Sequence, residues 1–428
     1  MPKVLIVAYY FPPLGGGGTQ RTLKFTRYLP DFGWEPHVLT VKKRDHVLYD
    51  ETLAEQLGSQ ARLIETSAFL PAVFFRRITG YKINAGPVKN SLFNRLKKFF
   101  YTLLFVPDEF IGWYPFAVRA GIREVKRENI DVIFSTGPPN TCHLIARSIA
   151  RKMKRPWIAD LRDLWNMYPH SYNPFQWQWR WELDEAIGNN VLASASRVLV
   201  TSPEMRNAFV QSMKVIRPAR VHVLTNGFDP EDFPQVGLQK KQDKFTVACV
   251  GSLFPWRPIA PFLAAMSQAI KNKPYLGQLL KLQLVGSISG ENQHEVKISG
   301  LSDITEIIDY QNYQKALHYL SAAQLLLLIV GEIAHAKVMI PGKIFDYLGA
   351  RKPILAIGPN GAARRLVEEE QVGIGFAAAE TGKMASALEF CVRRWQANKY
   401  YFQAKKMDRF HRRNLTRRLT EIFTLETQ

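Results

Sequence analysis

A glycine-rich loop near the start of the chain has the composition of a phosphate-binding site. Gly15 to Gly18 follow the strand-like run Val4-Leu5-Ile6-Val7, and a helix-like segment from Thr19 to Leu29 follows the glycines. Glycine lets backbone N–H groups approach an anion closely, and the helix directs the positive end of its dipole to the same place. The loop is too long for the dinucleotide-binding fingerprint and prolines precede it, so Gly16 and Gly17 predict a nucleotide-binding α/β domain of another type.

The surrounding runs predict the elements that position this loop and a second one. Strand-like runs alternate with helix-like segments, and the pattern starts again at Phe245–Val250, a run that Gly251 and Ser252 close. This alternation predicts two tandem Rossmann-like halves, each a parallel sheet covered by helices on both faces. Ligands of such sheets bind at the carboxyl ends of the strands, so two facing halves would form a cleft with one ligand on each wall. The predicted strands are 3–8, 36–41, 131–135, 156–160, 197–201, 221–225, 245–250, 281–286, 324–329 and 353–357.

The length of 428 residues also predicts two domains. We place the first over 1–225 and the second over 245–409. The turn-forming residues 226–230 and the polar stretch 235–244 predict a linker over 226–244.

The composition restricts the compartment and the partners. A formal net charge of +20 predicts an anionic partner, which could be nucleic acid, anionic lipid or an anionic substrate. The N-terminus does not resemble a signal peptide, and no apolar run reaches the ~20 residues that cross a bilayer. Cys142, Cys249 and Cys391 lie far apart without metal-binding spacing, which predicts core thiols in a reducing compartment.

Short stretches spread over nearly the whole chain carry a family likeness. Four of them are Tyr10-Phe11-Pro12-Pro13 with Gly15 to Gly18 and Arg21, Gly33-Trp34-Glu35-Pro36-His37-Val38-Leu39-Thr40, Asn226-Gly227-Phe228-Asp229, and Pro341-Gly342-Lys343-Ile344-Phe345-Asp346-Tyr347-Leu348 with Lys352-Pro353-Ile354-Leu355. Two more are Ser135-Thr136-Gly137-Pro138-Pro139 and Asp160-Leu161-Arg162-Asp163-Leu164-Trp165. Together these stretches resemble GT-B glycosyltransferases, in particular the family-4 retaining enzymes that use nucleotide sugars. The last two are similar to a subgroup common in bacterial envelope polysaccharide synthesis.

The resemblance implies a fold, a reaction and a donor. In the GT-B fold the last helix crosses back onto the first domain, so we assign residues 410–428 to that domain. Within this segment, Leu415, Leu419, Ile422 and Phe423 share one helix face. The family likeness implies a nucleotide-sugar donor, UDP-linked or GDP-linked, and retention of anomeric configuration.

Arg257, Lys343 and the backbone N–H groups after Gly251 and Ser252 are the candidates for binding the donor diphosphate. Transfer from a nucleotide sugar expels a diphosphate, so fixed donors aimed at it stabilise the transition state more than the ground state. Arg257 matches a family position that contacts phosphate. The alternative for Arg257 is an arginine exposed at the surface, and the alternative for Lys343 is a solvated lysine at a helix terminus.

Asp346 matches the second glutamate of the family's Glu-x7-Glu motif, which implies that it accepts the ribose hydroxyls. It lies three residues after Lys343, so both are predicted on one helix face. Val338 stands at the first glutamate's position, next to the transferred sugar, and leaves the donor sugar unidentified. Glu332 is a weaker substitute, and an ordinary exposed carboxylate is the alternative for Asp346.

Asp160, Arg162, Asp163 and His143 are the acceptor-side candidates in the first domain. A carboxylate after the strand could orient or deprotonate the acceptor hydroxyl, and Arg162 could pair with Asp163 or bind an acceptor phosphate. The alternative is a structural ion pair. His143 follows the Gly-Pro-Pro loop and could reach the cleft, or it could be a packing residue.

We expect no essential metal and no cofactor besides the nucleotide-sugar co-substrate. The chain has no Asp-x-Asp pair, and fold-related enzymes without it generally stabilise the diphosphate with protein groups. No histidine pair has metal-ligand spacing either.

Residues 66–107 contain no acidic residue and mix basic with aromatic side chains. Phe93–Val106 could form a basic amphipathic helix, which predicts binding to an anionic membrane surface. The alternative is an insertion whose aromatics pack inward. Residues 393–418 are also basic, whereas no nucleic-acid-binding motif is present. The basic and aromatic residues concerned are Arg76, Arg77, Lys82, Lys89, Arg95, Lys97 and Lys98, with Phe69, Phe74, Phe75, Phe93, Phe99, Phe100 and Tyr101.

These observations favour a glycosyltransferase in the cytoplasm, peripheral at the inner face of the plasma membrane. It would move a sugar to a lipid-linked or polysaccharide acceptor in bacterial envelope glycan synthesis. Two alternatives remain open: a GT-B sugar-nucleotide 2-epimerase and a non-catalytic nucleotide-sugar-binding scaffold. Slow donor hydrolysis would distinguish an enzyme from a scaffold.

Overall fold

The chain divides into two compact units. The first unit comprises Met1–Thr225 and Arg413–Gln428, and the second comprises Asn226–Arg412. The computed structural model describes residues 1–15, 17–42, 50, 52–57, 61–69, 99, 103, 105–165, 177–213, 215–234, 243–331, 336–400 and 407–427. Each unit is a parallel sheet flanked by helices.

The first unit contains a seven-stranded sheet in the order β3-β2-β1-β4-β5-β6-β7, and all its strand pairs are parallel. Its strands are β1 (Lys3–Val7), β2 (Glu35–Val41), β3 (Arg62–Thr66), β4 (Val132–Gly137), β5 (Trp157–Leu161), β6 (Arg197–Val200) and β7 (Val221–Val223). Its helices are α1 (Gly17–Tyr28), α2 (Thr52–Glu55), α3 (Tyr114–Glu128), α4 (Thr141–Met153), α5 (Gln178–Leu192), α6 (Pro203–Ser212) and, from the end of the chain, α14 (Arg412–Thr427).

Alternating residues of β1 show that both faces of this sheet are covered. Leu5 and Val7 pack in a core with residues of α3 and α4, whereas Val4 and Ile6 pack in a core with α1 and α14. Burial on both faces explains why the central strands read as continuous apolar runs. The Phe423 ring of α14 lies 5.2 Å from that of Trp34 and 5.7 Å from that of Phe134, between ring centroids.

The second unit contains a six-stranded parallel sheet in the order β10-β9-β8-β11-β12-β13. Its strands are β8 (Phe245–Val250), β9 (Leu280–Val285), β10 (Thr305–Ile308), β11 (Leu325–Ile329), β12 (Ile354–Ile357) and β13 (Gly373–Phe376). Its helices are α7 (Ala260–Asn272), α8 (Leu276–Leu279), α9 (Gly290–Ile298), α10 (Tyr313–Ala322), α11 (Lys343–Ala350), α12 (Ala362–Glu369) and α13 (Thr381–Gln396).

The predicted α/β class, with two Rossmann-like sheets and a terminal helix that returns to the first unit, is confirmed. Three strands were not predicted, and each lies at a sheet edge: β3, β10 and β13. Within the described residues, no helix is both long and apolar enough to cross a membrane.

Candidate functional site

The glycine loop and the end of β5 meet at Gly18. A β-carbon at Gly18 would lie only 1.9 Å from Arg162 Nη1, so the guanidinium occupies the space that a side chain would need. Gly17 is the first residue of α1, whose N-terminal N–H groups start at this point. Gly16 lies outside the described residues. The structure therefore joins a helix N-terminus with a fixed cation, which together can accept an anion.

Arg162 is held by the loop that follows β4. Its Nε donates to the carbonyl oxygen of Gly137 at 3.1 Å, and its Nη2 donates to that of Pro138. Burial lowers the pKa of the guanidinium, while the nearby carboxylates of Asp163 and Asp160 act in the opposite direction. Arg162 and Asp163 are thus electrostatic neighbours, as the sequence suggested.

Asp160 pairs with Arg21, a partner that the sequence analysis did not assign to it. Both side chains are buried, and two hydrogen bonds of 3.0 Å and 2.7 Å join them. Thr136 Oγ1 donates a further hydrogen bond of 2.8 Å to Asp160 Oδ2. These contacts resemble the structural ion pair that was the alternative for Asp160. Its role toward an acceptor stays a prediction.

His143 is fully buried near the start of α4. Its Nδ1 lies 2.8 Å from Ser135 Oγ, which also accepts a 2.8 Å hydrogen bond from Trp157 Nε1. Its Nε2 has no hydrogen-bond partner among the described residues, and a β-carbon at Gly137 would lie 2.4 Å from it. Burial lowers the pKa of His143 to about 4, so the ring is neutral at neutral pH.

Lys343 is the candidate anion-binding side chain of the second unit. Its Nζ is buried and has no hydrogen-bond partner among the described residues. A β-carbon at Gly251 would lie 3.3 Å from Lys343 Cδ and 4.0 Å from Nζ, so the lysine lies against the loop after β8. Burial lowers the pKa of Lys343, and the Arg257 guanidinium lowers it further. An unpaired ammonium beside another cation is an arrangement that an anion would stabilise.

The loop after β8 contains three of the residues predicted to bind the donor diphosphate and lies beside Lys343. Gly251 adopts φ +108°, a conformation that L side chains rarely take, and its N–H donates to Val285 O at 2.8 Å. Ser252 follows and is half-buried. Arg257 is also half-buried, and its guanidinium carbon lies 6.0 Å from the centroid of the Phe254 ring.

Asp346 lies on the same helix as Lys343 but contacts a different neighbour. Tyr313 donates its hydroxyl to Asp346 Oδ1 at 3.0 Å. Burial raises the pKa of Asp346 to about 6, although Arg412 and the tyrosine hydrogen bond lower it. Glu332 lies outside the described residues.

Tyr347 positions this helix, and the sequence analysis missed this function. Its buried hydroxyl accepts a 2.9 Å hydrogen bond from the Val250 N–H. It also lies 3.1 Å and 3.2 Å from the carbonyl oxygens of Val250 and Leu327, which share its proton. Helix α11, which begins at Lys343, is thereby fixed to the end of β8 and the middle of β11. The only sequence signal is the place of Tyr347 within the stretch 341–348.

The predicted membrane-binding stretch is described only in part. Its seven basic residues all lie outside the described residues, and so does most of Phe93–Val106. The three cysteines are free, and Cys142 and Cys249 are buried. In the part of the chain that the structure describes, no group of three or more His, Cys, Asp and Glu side chains could hold a metal ion.

The chain was compared with protein-family models, with curated protein sequences and with solved structures. The family model described as Glycosyltransferase Family 4 matches residues 15–232, just over half of the chain. No curated protein matches the sequence.

Solved structures resemble the chain over its full length. Sucrose-phosphate synthase from Thermosynechococcus elongatus has a TM-score of 0.67 at 16% identity, with 99% of each chain covered. HepE from Anabaena in complex with UDP-glucose has a TM-score of 0.62 at 16% identity, with 99% of each chain covered. WaaG, a glycosyltransferase involved in lipopolysaccharide biosynthesis, has a TM-score of 0.57 at 12% identity, with 99% of this chain and 100% of WaaG covered. These likenesses confirm the predicted GT-B fold.

Proposed function

The chain belongs to glycosyltransferase family 4, and from this premise we propose that it transfers a sugar from a UDP- or GDP-linked donor to a lipid-linked or polysaccharide acceptor. We place this reaction in bacterial envelope glycan synthesis, with retention of anomeric configuration. HepE binds UDP and UDP-glucose and WaaG acts in lipopolysaccharide biosynthesis, which supports a UDP-linked donor and an envelope acceptor.

The observation that carries the proposal is the unpaired, buried ammonium of Lys343 next to Arg257 and Gly251. A lone buried cation is costly, and a diphosphate would supply the missing counter-charge. As the bond to the sugar breaks, negative charge grows on the leaving diphosphate, so these fixed cations stabilise the transition state most. Because two protein cations supply this charge, we propose that transfer needs no divalent metal.

Asp346 is suited to hold the ribose of the nucleotide. One of its oxygens accepts from Tyr313, which fixes the carboxylate and leaves the other oxygen for a hydroxyl donor. We assign diphosphate contacts in the first unit to Gly16 and Gly17, together with Lys343, Arg257, Gly251 and Ser252 in the second.

Arg162, Asp163 and His143 are our acceptor-side assignments in the first unit, with Asp160 as the buried residue that fixes their loop. Arg162 is a permanent cation at the end of β5 and can bind an acceptor phosphate. His143 is neutral, so its unpartnered Nε2 can exchange a hydrogen bond with a hydroxyl without a net charge in the buried site.

We further propose that the protein acts in the cytoplasm at the inner face of the plasma membrane. The net charge of +20 and the basic-aromatic stretch 66–107 support binding to anionic lipid. An acceptor carried by a membrane lipid would then be presented where the enzyme binds.

A thermal-shift screen tests the donor assignment. The full-length protein is heated with UDP, GDP, CMP, ADP or dTDP and their common sugars, with and without magnesium. Because a ligand of the native state raises the melting temperature, we expect a shift with UDP or GDP that is independent of magnesium and is lost in Lys343→Ala. A shift of equal size in Lys343→Ala, or no shift with any nucleotide in the wild type, would overturn the proposal.

A further inference from the structure

The first unit contains an apolar groove that none of the assignments above uses. The groove has a volume of about 460 Å³ and lies between α3, α4 and α5. This volume falls within the usual range of small-molecule sites, about 300–1,000 Å³. Its apolar lining includes Val106, Pro107, Ile111, Leu144, Ile187 and Val191.

A buried arginine fixes one wall of the groove. Arg180 of α5 donates hydrogen bonds from Nη2 to the carbonyl oxygens of Phe105 (3.1 Å) and Pro107 (3.4 Å). These bonds tie the segment 105–107 to α5. The groove therefore has a preformed wall, as ligand sites usually have.

Arg147 is the charged side chain in the groove lining. Its Nη2 donates to Asn190 Oδ1 at 2.6 Å, while its Nε is buried without a hydrogen-bond partner among the described residues. The hydroxyl group of Tyr114, which also belongs to the lining, is already hydrogen-bonded to Ser148 Oγ at 2.7 Å. Apolar walls with one guanidinium match a hydrocarbon chain that carries an anionic head.

The helix that lines the groove also carries exposed aromatic side chains at its start. Trp177 and Trp179 are 41% and 38% exposed, and the Phe99 ring lies 4.8 Å from that of Trp177. Exposed tryptophans of this kind are typical of contacts at a membrane–water interface. Trp179 and Ile187 are eight residues apart on α5, about 12 Å along the helix.

The groove also adjoins the acceptor side of the proposed site. Leu144 in its lining directly follows His143 on α4, about 100° around the helix axis, and His143 faces Gly137. We propose that the groove binds the hydrocarbon chain of a lipid-phosphate acceptor, with Arg147 of the lining, rather than Arg162, binding the phosphate. This inference rests on the proposed function and specifies its acceptor as a lipid phosphate.

Calorimetric titration of the full-length protein with farnesyl phosphate and with farnesol tests the inference. Ala186 lines the groove, so Ala186→Trp should fill it and weaken farnesyl phosphate binding at least tenfold. Glu182→Trp, one turn earlier on the same helix and outside the lining, is the matched control and should bind as the wild type does. Arg147→Gln should weaken farnesyl phosphate binding about tenfold and leave farnesol binding unchanged.

Three results would overturn the inference. The wild type could fail to bind farnesyl phosphate, or Ala186→Trp could bind it as tightly as the wild type does. Alternatively, the groove variants could weaken binding to vesicles of anionic phospholipid and leave farnesyl phosphate binding unchanged. The UDP-induced melting shift, measured on the same variants, separates the two proposals. If that shift persists while farnesyl phosphate fails to bind, only the groove assignment is wrong. If farnesyl phosphate binds and no nucleotide does, the groove stands and the proposed transfer reaction fails.

Discussion

Arg21 binds both carboxylate oxygens of Asp160, Nε to Oδ2 at 3.0 Å and Nη2 to Oδ1 at 2.7 Å, in a fully desolvated pair. The same guanidinium donates to the carbonyl oxygens of Leu224 at 2.9 Å and Thr225 at 2.6 Å. One side chain therefore joins the helix after the glycine loop, the end of β5 and the last residues before the second unit.

Removal of either member of this pair should destabilise the first unit strongly. Arg21→Ala or Asp160→Ala leaves a buried charge without its partner, which typically costs 3–5 kcal/mol. A double-mutant cycle by urea unfolding should show that the double variant is less destabilised than the sum of the single variants. The exposed pair Arg413–Asp31 is the control, and its loss should cost less than about 1 kcal/mol. Additive effects at Arg21 and Asp160 would contradict a coupled pair.

Lys343→Ala and Arg257→Ala should each lower the rate of sugar transfer or donor hydrolysis about 100-fold or more. Each removes one preformed donor to the leaving diphosphate, and losses of that kind have this size. Lys271→Ala, an exposed lysine on α7, removes the same charge away from the loop and should leave the rate unchanged. Unchanged turnover in both correctly folded variants would rule out the diphosphate assignment.

Nucleotide affinity should decrease as the pH falls through about 6. The pKa of Asp346 is about 6 because of burial, and only its ionised form presents the oxygen that Tyr313 does not contact as a charged acceptor for a ribose hydroxyl. UDP binding should therefore weaken several-fold between pH 7 and pH 5 in the wild type and less in Asp346→Asn. The nucleotide's own ionisation affects both proteins equally. Parallel pH profiles would remove Asp346 from the nucleotide site.

Acid should destabilise the first unit partly through His143. Its pKa of about 4 in the folded state is below its ordinary value of 6.5, so the unfolded chain binds the proton first as the pH falls. Folding stability due to this group is complete above pH 6.5 and declines toward pH 4, by up to about 3 kcal/mol. The stability difference between the wild type and His143→Gln should narrow by most of this amount between pH 7 and pH 4.5. A constant difference would show that folding does not lower the pKa of His143.

Neutralisation of Arg95, Lys97 and Lys98 by glutamine should weaken binding to anionic vesicles, and added salt should have the same effect on the wild type. Lys271, Lys273 and Lys297 are exposed and lie on the second unit, so their triple replacement removes equal charge as a control. Binding that resists salt, or that both triple variants lose equally, would contradict a specific membrane-binding stretch.

The fold was predictable where strands are buried on both faces. Strands β8 and β11 read as continuous apolar runs because both faces of each are covered. Edge strands lack this signal. In β3 most side chains are exposed, and in β13 glycine interrupts the pattern because a β-carbon at Gly373 would lie 1.8 Å from the Ile354 carbonyl oxygen. Where two strands approach so closely, glycine is required, and in the sequence that glycine looks like a residue that ends a strand.

From the sequence, the candidate site was predictable only for residues that follow the ends of predicted strands. Gly251 and Lys343 both follow strands of one parallel sheet, so their proximity agrees with a general rule. The pairing of Arg21 with Asp160 spans 139 residues. It depends on the packing of α1 against the sheet, which no local pattern in the sequence contains.

The return of α14 to the first unit has a consequence during synthesis. Leu415, Leu419 and Phe423 cover the face of the first sheet that includes Val4, Ile6 and Phe134. Leu415 lies roughly 190 residues after Thr225, so at 5–20 residues per second a ribosome needs about 10–40 s to supply this cover. We therefore expect the newly made first sheet to expose the part of this face that α1 does not cover for that interval, and such exposed apolar surface favours aggregation.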